Sequence, residues 1–407
     1  MRRYSWPEGH WDWPIKVTHK HGLRCGDMIF VGGQVDLDSA GTVLHPVDRA
    51  TQVRAAIGHI DTVLCDLGAN LTHLVKLQAF YVLEPHISEM AIRDLIGAAL
   101  PPESRIAITL IPLPFLGYPG MMIEIEAIAM LAENGTALPR HISHPPGLIA
   151  LPAPFVHVLQ CDGMIFISGQ SPRDADDAIT TPGDIVAQSA RIMDRVSAIL
   201  TSLGADLADI VKINRWYVGH GALNDWKRAA LEVASRFHEP GPAATGIPLP
   251  CYPDPTQQIM IDSIAMRDAS GNTLAKQRVW PLGHWDWPVH LPYQHGIKCG
   301  NMVFIGGQVA LTSQGVVIDP GAMAAQTHAS LDHIHRVLAE FGLGMDAVVK
   351  VLALYSAAGR PEELHTNLSI RSAAFTEPGP TTTGIPLPRL AYPGMMIEIE
   401  MIAMVPT

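Results

Sequence analysis

The sequence predicts an α+β fold built three times over in one chain, and three observations predict it. Residues 9–14 and 283–288 both read GHWDWP, while 118–130 (YPGMMIEIEAIAM) and 392–404 (YPGMMIEIEMIAM) nearly coincide, and both pairs share one offset, 283 − 9 = 392 − 118 = 274. Cys25, Cys161 and Cys299 each open a Cys-x-x-Met-hydrophobic-Phe run that ends at Gln34, Gln170 or Gln308, which marks a third, more diverged copy between the other two. From that Cys to the first Pro of an Ile-Pro-Leu-Pro segment is 87 residues in every copy (112 − 25, 248 − 161, 386 − 299). Solenoid and propeller units run about 20–50 residues. The repeated unit is therefore a whole small domain.

Within each copy the elements follow in one order. A strand at 27–35 (163–171, 301–309) packs β-branched and aromatic residues before a Gly that permits close backbone approach. A helix follows, with Val53, Ile57, Ile60, Val63 and Leu67 at three- and four-residue steps and Gly68 in the C-cap place, as are Gly204 and Gly342 in the other copies. Gln52, Gln188 and Gln326 occupy one position on it. The second strand reads VKLQAFYV at 75–82, VKINRWYV at 211–218 and VKVLALYS at 349–356. A second helix is clearest at 224–237, and a proline-rich segment leads to the last strand at 122–130, 259–266 or 396–404. The order β-α-β-α-β implies a sheet with helices on one face. Interruptions by Gly, Asn, Pro and charge near 138–144 and 271–278 divide the chain into 1–139, 140–275 and 276–407.

Composition narrows the function classes. At 407 residues the chain fits about three domains. No run approaches the ~18 apolar residues of a membrane span, and the N-terminus lacks the apolar core of a secretory signal. The net charge is −11, from 39 acidic and 28 basic residues, and no basic run is concentrated as phosphate neutralisation would require. Five Cys residues, three of them at one strand position, read as small hydrophobes of a reducing cytoplasm.

The strand ending in Gly-Gln, the Gln-bearing helix, the Val-Lys strand and the terminal Glu-Ile-Glu-x-Ile-Ala strand resemble the RidA/YjgF family of enamine/imine deaminases, along essentially the whole chain. The resemblance implies three tandem RidA-like (chorismate-mutase-like) domains. Because family members are homotrimers with clefts between subunits, it also implies an intramolecular pseudo-trimer, a monomer in solution with a further dimer left open. It implies a cleft where an Arg holds the substrate carboxylate and a Glu positions water. The Arg position falls at Ile108, Ala244 and Thr382, so no copy keeps it. The Glu falls at Glu124, Met260 and Glu398. The family's cleft aromatic corresponds to His19, Phe155 and Tyr293, followed two residues later by His21, His157 and His295.

A carboxylate on an apolar strand tends toward a raised pKa, which suits Glu124 and Glu398 to acid/base work, with His21 and His295 as proton relays. His19 and Tyr293, the backbone at Gly33 and Gly307, and the GHWDWP residues Trp13 and Trp287 are the candidate substrate contacts. The Trp pairs could cap a planar ligand or serve only as packing clasps. Arg105 and Arg389 are the nearest substitutes in sequence for the missing cation. No cofactor is implied. A metal site at His10, Asp12, His19 and His21 is not fully repeated, since Tyr293 stands for His19 in the third copy and Pro146 for His10 in the second. The sequence leaves three readings: a hydrolase of small imines or enamines, a non-catalytic binding protein, or a ring-amide hydrolase of the cyanuric acid hydrolase type built on Lys76, Lys212 and Lys350.

Overall fold

The computed structural model describes residues 2–222 and 224–405. Each copy forms one sheet backed by two helices. In the first copy the sheet runs Arg2–Ser5, Gly22–Cys25, Met28–Gln34, Ile123–Met130, Leu74–Val82, Ile106–Leu113 in spatial order, with Phe155–Val156 of the second copy added at the edge. The third copy repeats that order with Lys276–Val279, Gly296–Cys299, Met302–Val309, Ile397–Met404, Val348–Ser356 and Thr381–Leu387. In the second the edge strand is Arg140–Ile142, and the central strands are Met164–Gln170, Ile259–Met266 and Ile210–Val218.

Local chemistry explains the elements. The helix Arg49–Asp66 starts where the Asp48 side chain accepts from the Thr51 N–H, and it buries Val53, Ala56, Ile57, Ile60, Val63 and Leu64 against the sheet. It stops after Leu67, where Gly68 takes φ +80°. The proline-rich segment read from sequence as a connection is itself a strand in each copy, Ile106–Leu113, Ala243–Leu249 or Thr381–Leu387, parallel to its neighbour. Its place toward the sheet edge tolerates prolines, which cannot donate to a ladder. The unit is therefore β-α-β-α-β-β with short strands added in front.

The three copies close into a ring. The Met28–Gln34 strand packs on Thr381–Leu387 of the third copy, Met302–Val309 on Ala243–Leu249 of the second, and Met164–Gln170 on Ile106–Leu113 of the first. Hydrogen bonds mark each junction: Gly33 N to Thr383 Oγ1 (3.0 Å), Gly307 N to Thr245 Oγ1 (3.0 Å) and Ile108 N to Ser168 Oγ (2.9 Å). Around the axis Phe30, Phe166 and Phe304 join Val75, Val211 and Val349 in one shared core, with Cys161 and Cys299 buried in it. Both sheet faces are thus covered, which is why these strands are apolar throughout.

Beside that core a buried ring of ion pairs links every copy to the next. Lys76 meets Asp262 (2.8 Å), Lys212 meets Glu400 (2.7 Å) and Lys350 meets Glu126 (2.8 Å). These lysines are held by carboxylates, and Ser168 donates to the Val156 carbonyl (2.5 Å). None of these three lysines is left to activate a serine, which removes the footing of the ring-amide hydrolase reading built on them.

Candidate functional site

Two small cavities lie between copies, and each pairs a glutamate of one copy with an arginine of the next. Site A, about 30 Å³, joins Trp11, Trp13, Tyr118 and Glu124 of the first copy to Arg371 and Thr382 of the third. Site B, about 50 Å³, joins Trp285, Trp287, Tyr392 and Glu398 of the third copy to Arg215 and Ala244 of the second. Such volumes hold one or two waters. Both sites are narrow clefts, partly open to the surface.

The glutamates depend on glycine. A register shift between Val31 and Gln34 bulges the first strand toward the last one. A Cβ built on Gly33 would lie 1.9 Å from Glu124 Oε1, and one on Gly307 would lie 1.9 Å from Glu398 Oε1. Burial, reinforced by the neighbouring Glu126 or Glu400, pushes both carboxyls up to about 8. Glu124 and Glu398 are therefore neutral acids at pH 7, able to donate a proton.

The cation comes from two different places in the neighbour. Arg371, on the helix Pro361–Ala373, is fully buried; its Nε donates to Asn367 Oδ1 (3.0 Å) and its Nη1 to Thr382 Oγ1 (2.7 Å). Its Nη2 has no partner among the described residues. Burial lowers this guanidinium to about 10, still charged at neutral pH. Arg215 stands instead on the strand Ile210–Val218, its Cζ 5.0 Å over the Tyr293 ring. The two converge on one spot: a Cβ on Gly384 would meet Arg371 Nη2 at 3.3 Å, and a Cβ on the equivalent Gly246 would meet Arg215 Nη2 at 3.0 Å. Thr382 and Ala244, at the place of the resembled family's Arg, are small enough to make way.

The third interface has none of this set. The offset of 274 puts Gly97, Ala79 and Leu110 where Arg371, Ala353 and Gly384 stand, and Ala353 is the counterpart of Arg215 (353 − 215 = 138 = 299 − 161). Met260 replaces the Glu, and residues 145–150 (PPGLIA) carry no Trp. A wider groove of about 750 Å³ there includes Glu89, Arg93, Arg173 and Asp177, but its charges pair with each other, Arg93 with Glu89 (3.3 Å) and Arg173 with Asp177 (3.1 Å).

Other residues singled out from the sequence take different places. His21 Nε2 faces the Trp11 carbonyl (2.9 Å) and its ring stacks under Trp13 at 5.3 Å, while His295 repeats this with the Trp285 carbonyl (3.0 Å) and Trp287. Burial and a neighbouring histidine hold both well below the usual range. They support the Trp segment and do not line either cavity, so the relay role expected of them has no geometry behind it. His19 Nδ1 faces the Pro380 carbonyl (3.1 Å), and Tyr293 lies under Arg215; both are buried and line neither cavity. Gly33 and Gly307 do not offer free N–H groups, since each is bonded to a Thr. Arg105 is exposed and bonded to the carbonyls of Pro102 (3.1 Å) and Ser104 (2.6 Å), and Arg389 is exposed and bonded to the His220 carbonyl. Neither reaches a cavity.

The GHWDWP segment divides its work. Trp11 and His10 both meet Gln34 Oε1 (3.0 and 2.7 Å), as Trp285 and His284 meet Gln308 Oε1 (3.2 and 2.8 Å), and these residues are buried clasps. Trp13 and Trp287 are half-buried and line the cavities. Among the described residues no three His, Cys, Asp or Glu side chains are grouped to hold a metal. No helix among them is long and apolar enough to cross a membrane.

Comparison with known proteins gives the same threefold division. The family described as Endoribonuclease L-PSP matches residues 16–131, 148–266 and 287–405. A RutC family protein of Pyrococcus abyssi (strain GE5 / Orsay) is 30% identical over 94 residues, 23% of this chain and 72% of that relative. A crystal structure of a chorismatase shares the fold over 82% of this chain and 93% of its own, with a TM-score of 0.53 at 12% identity. A putative endoribonuclease from Thermotoga maritima aligns along its full length (100%) with 33% of this chain, at 23% identity and a TM-score of 0.29.

Proposed function

The chain belongs to the Endoribonuclease L-PSP family, the RidA/YjgF-like group its repeats resemble, and from that premise we propose that it hydrolyses a small imine or enamine bearing a carboxylate at sites A and B. One observation carries the reading: the buried Glu, the guanidinium with room beside it, the glycine under that guanidinium and the Trp cap occur together at two interfaces and are missing together at the third. Structure alone does not ask for that grouping.

In this mechanism the substrate carboxylate takes the free edge of Arg371 or Arg215, a contact strengthened by burial. Glu124 or Glu398, in its acid form, gives its proton to the imine nitrogen, and water adds to the carbon. The resulting carboxylate takes a proton from that water and returns it to the nitrogen. The carbon–nitrogen bond then breaks, the hydroxyl proton passes to the carboxylate, and a carbonyl and ammonia result. An enamine enters the same course once its carbon is protonated. Cavities this small, in a chain of net charge −11, favour this over a polymeric nucleic-acid substrate.

The competing reading, a non-catalytic binder, shares the arginine contact and parts from it at the glutamate. Ammonia release from 2-imino acids generated in situ separates them. The Glu124→Gln/Glu398→Gln double variant should lose at least about 10²-fold in rate while still binding acetate. An unchanged rate would remove the glutamates from the mechanism, and no ammonia release from the native chain would leave a binding protein.

A further inference from the structure

Sites A and B share one wall and differ in the other. Seven of the eight first-wall positions are identical at the offset of 274, Gly117 and Ala391 being the exception. The opposite walls diverge: Leu364 in site A is replaced by Trp226 in site B. The polar inventory diverges with them. In site A the Tyr118 hydroxyl is bonded to His365 Nε2 (3.0 Å). In site B the Tyr392 hydroxyl and the Trp226 Nε1 are both buried, the residues 8% and 6% exposed, and neither has a partner among the described residues. Their rings are neighbours, with centroids 6.1 Å apart. Lys227, at the place of His365 (365 − 138 = 227), lines an outer cavity of about 400 Å³ that shares Tyr392 with site B.

Buried donors without acceptors are costly unless a ligand satisfies them. Here an indole N–H and a phenol O–H lie on one side of site B, with the Arg215 guanidinium also in its wall, and the Lys227 side chain lines the outer cavity beyond Tyr392. Resting on the carboxylate-binding reading above, we infer that the two sites have separate ligands: site A takes a small monocarboxylate with an apolar tail, whereas site B takes a small dicarboxylate or a carboxylate carrying a second acceptor. One end of the site B ligand lies at Arg215 in the inner cavity. The other reaches Trp226, Tyr392 and Lys227 toward the outer one. A pocket built to hydrogen-bond a second group discriminates strongly against an analogue that lacks it.

The probes are butyrate and succinate, which have the same carbon count and differ in one terminal group. Calorimetric titration of Arg371→Met reports site B, and titration of Arg215→Met reports site A. Succinate should bind at least about tenfold tighter than butyrate at site B, with no such preference at site A. Lys227→Met, on a half-buried helix face, and the near-isosteric Tyr392→Phe should each reduce the site B ratio severalfold without shifting the unfolding midpoint. Equal ratios at the two sites, or a site B ratio untouched by both variants, would overturn the division of ligands while leaving carboxylate binding intact. Binding of neither acid at either site would overturn the carboxylate reading as well.

Discussion

At two interfaces a neutral, buried glutamate sits near a guanidinium from the neighbouring copy; at the third, Met260 stands in the glutamate position, and Ala79, Gly97 and Leu110 stand where the cation and its glycine would be. The ring of lysine–carboxylate pairs, by contrast, is present at all three. The difference separates two kinds of buried charge. Pairs that hold the copies in register are needed at every junction of a closed ring. Under the proposed function, a glutamate and arginine set apart to receive a ligand are needed only at the two interfaces that bind it.

Cutting the ring should have the largest effect. Lys76→Met, Lys212→Met and Lys350→Met each strand a buried carboxylate, at a cost of about 3–5 kcal/mol. Denaturant unfolding should show similar losses for all three, the third interface included. A loss confined to the interfaces of sites A and B would make the ring part of those sites.

Next in size is displacement of the carboxyl. Gly33→Ala and Gly307→Ala each place a Cβ 1.9 Å from a Glu oxygen, and together they should lower the rate by about 10²-fold, as a misplacement of roughly 1 Å does. Gly169→Ala meets the flexible Met260 sulfur at 2.6 Å and should leave the rate within about twofold of native.

A smaller effect follows from protonation. Glu124 and Glu398 titrate at about 8 in the folded chain against an ordinary 4.5. Stability from the neutral form is complete below the unfolded value and is lost as pH rises through the folded one. Relative to Glu124→Gln/Glu398→Gln, the native Tm should fall between about pH 4.5 and pH 8 and then level off. Parallel curves would mean that the carboxyls are already ionised.

Much of this was legible in the sequence because the copies keep one spacing. The strands, both helices and the two glutamates lie at fixed offsets, and fixed offsets fix their places in a repeated fold. The proline-rich strand was missed because its prolines read as a break when they only mark the sheet edge. The arginines were missed for a deeper reason. Arg371 and Arg215 come from non-equivalent positions, a helix and a strand, and reach their sites from the neighbouring copy, so no local spacing announces them. A trace did exist: Gly246 and Gly384 interrupt apolar strands where the first copy has Leu110, and a strand glycine marks close approach. The histidines misled because position was read as exposure to the cleft, whereas packing under the Trp segment turned them away.

This threefold-repeated chain should bind carboxylate at two sites and not three. Equilibrium dialysis with labelled acetate, carried to saturation, counts them directly, because acetate needs only the arginine contact common to both sites and a weaker affinity at site B does not change the number bound. Two sites per chain are expected, one after either Arg371→Met or Arg215→Met, and none after both. A count of three, or a count that neither arginine changes, would contradict it.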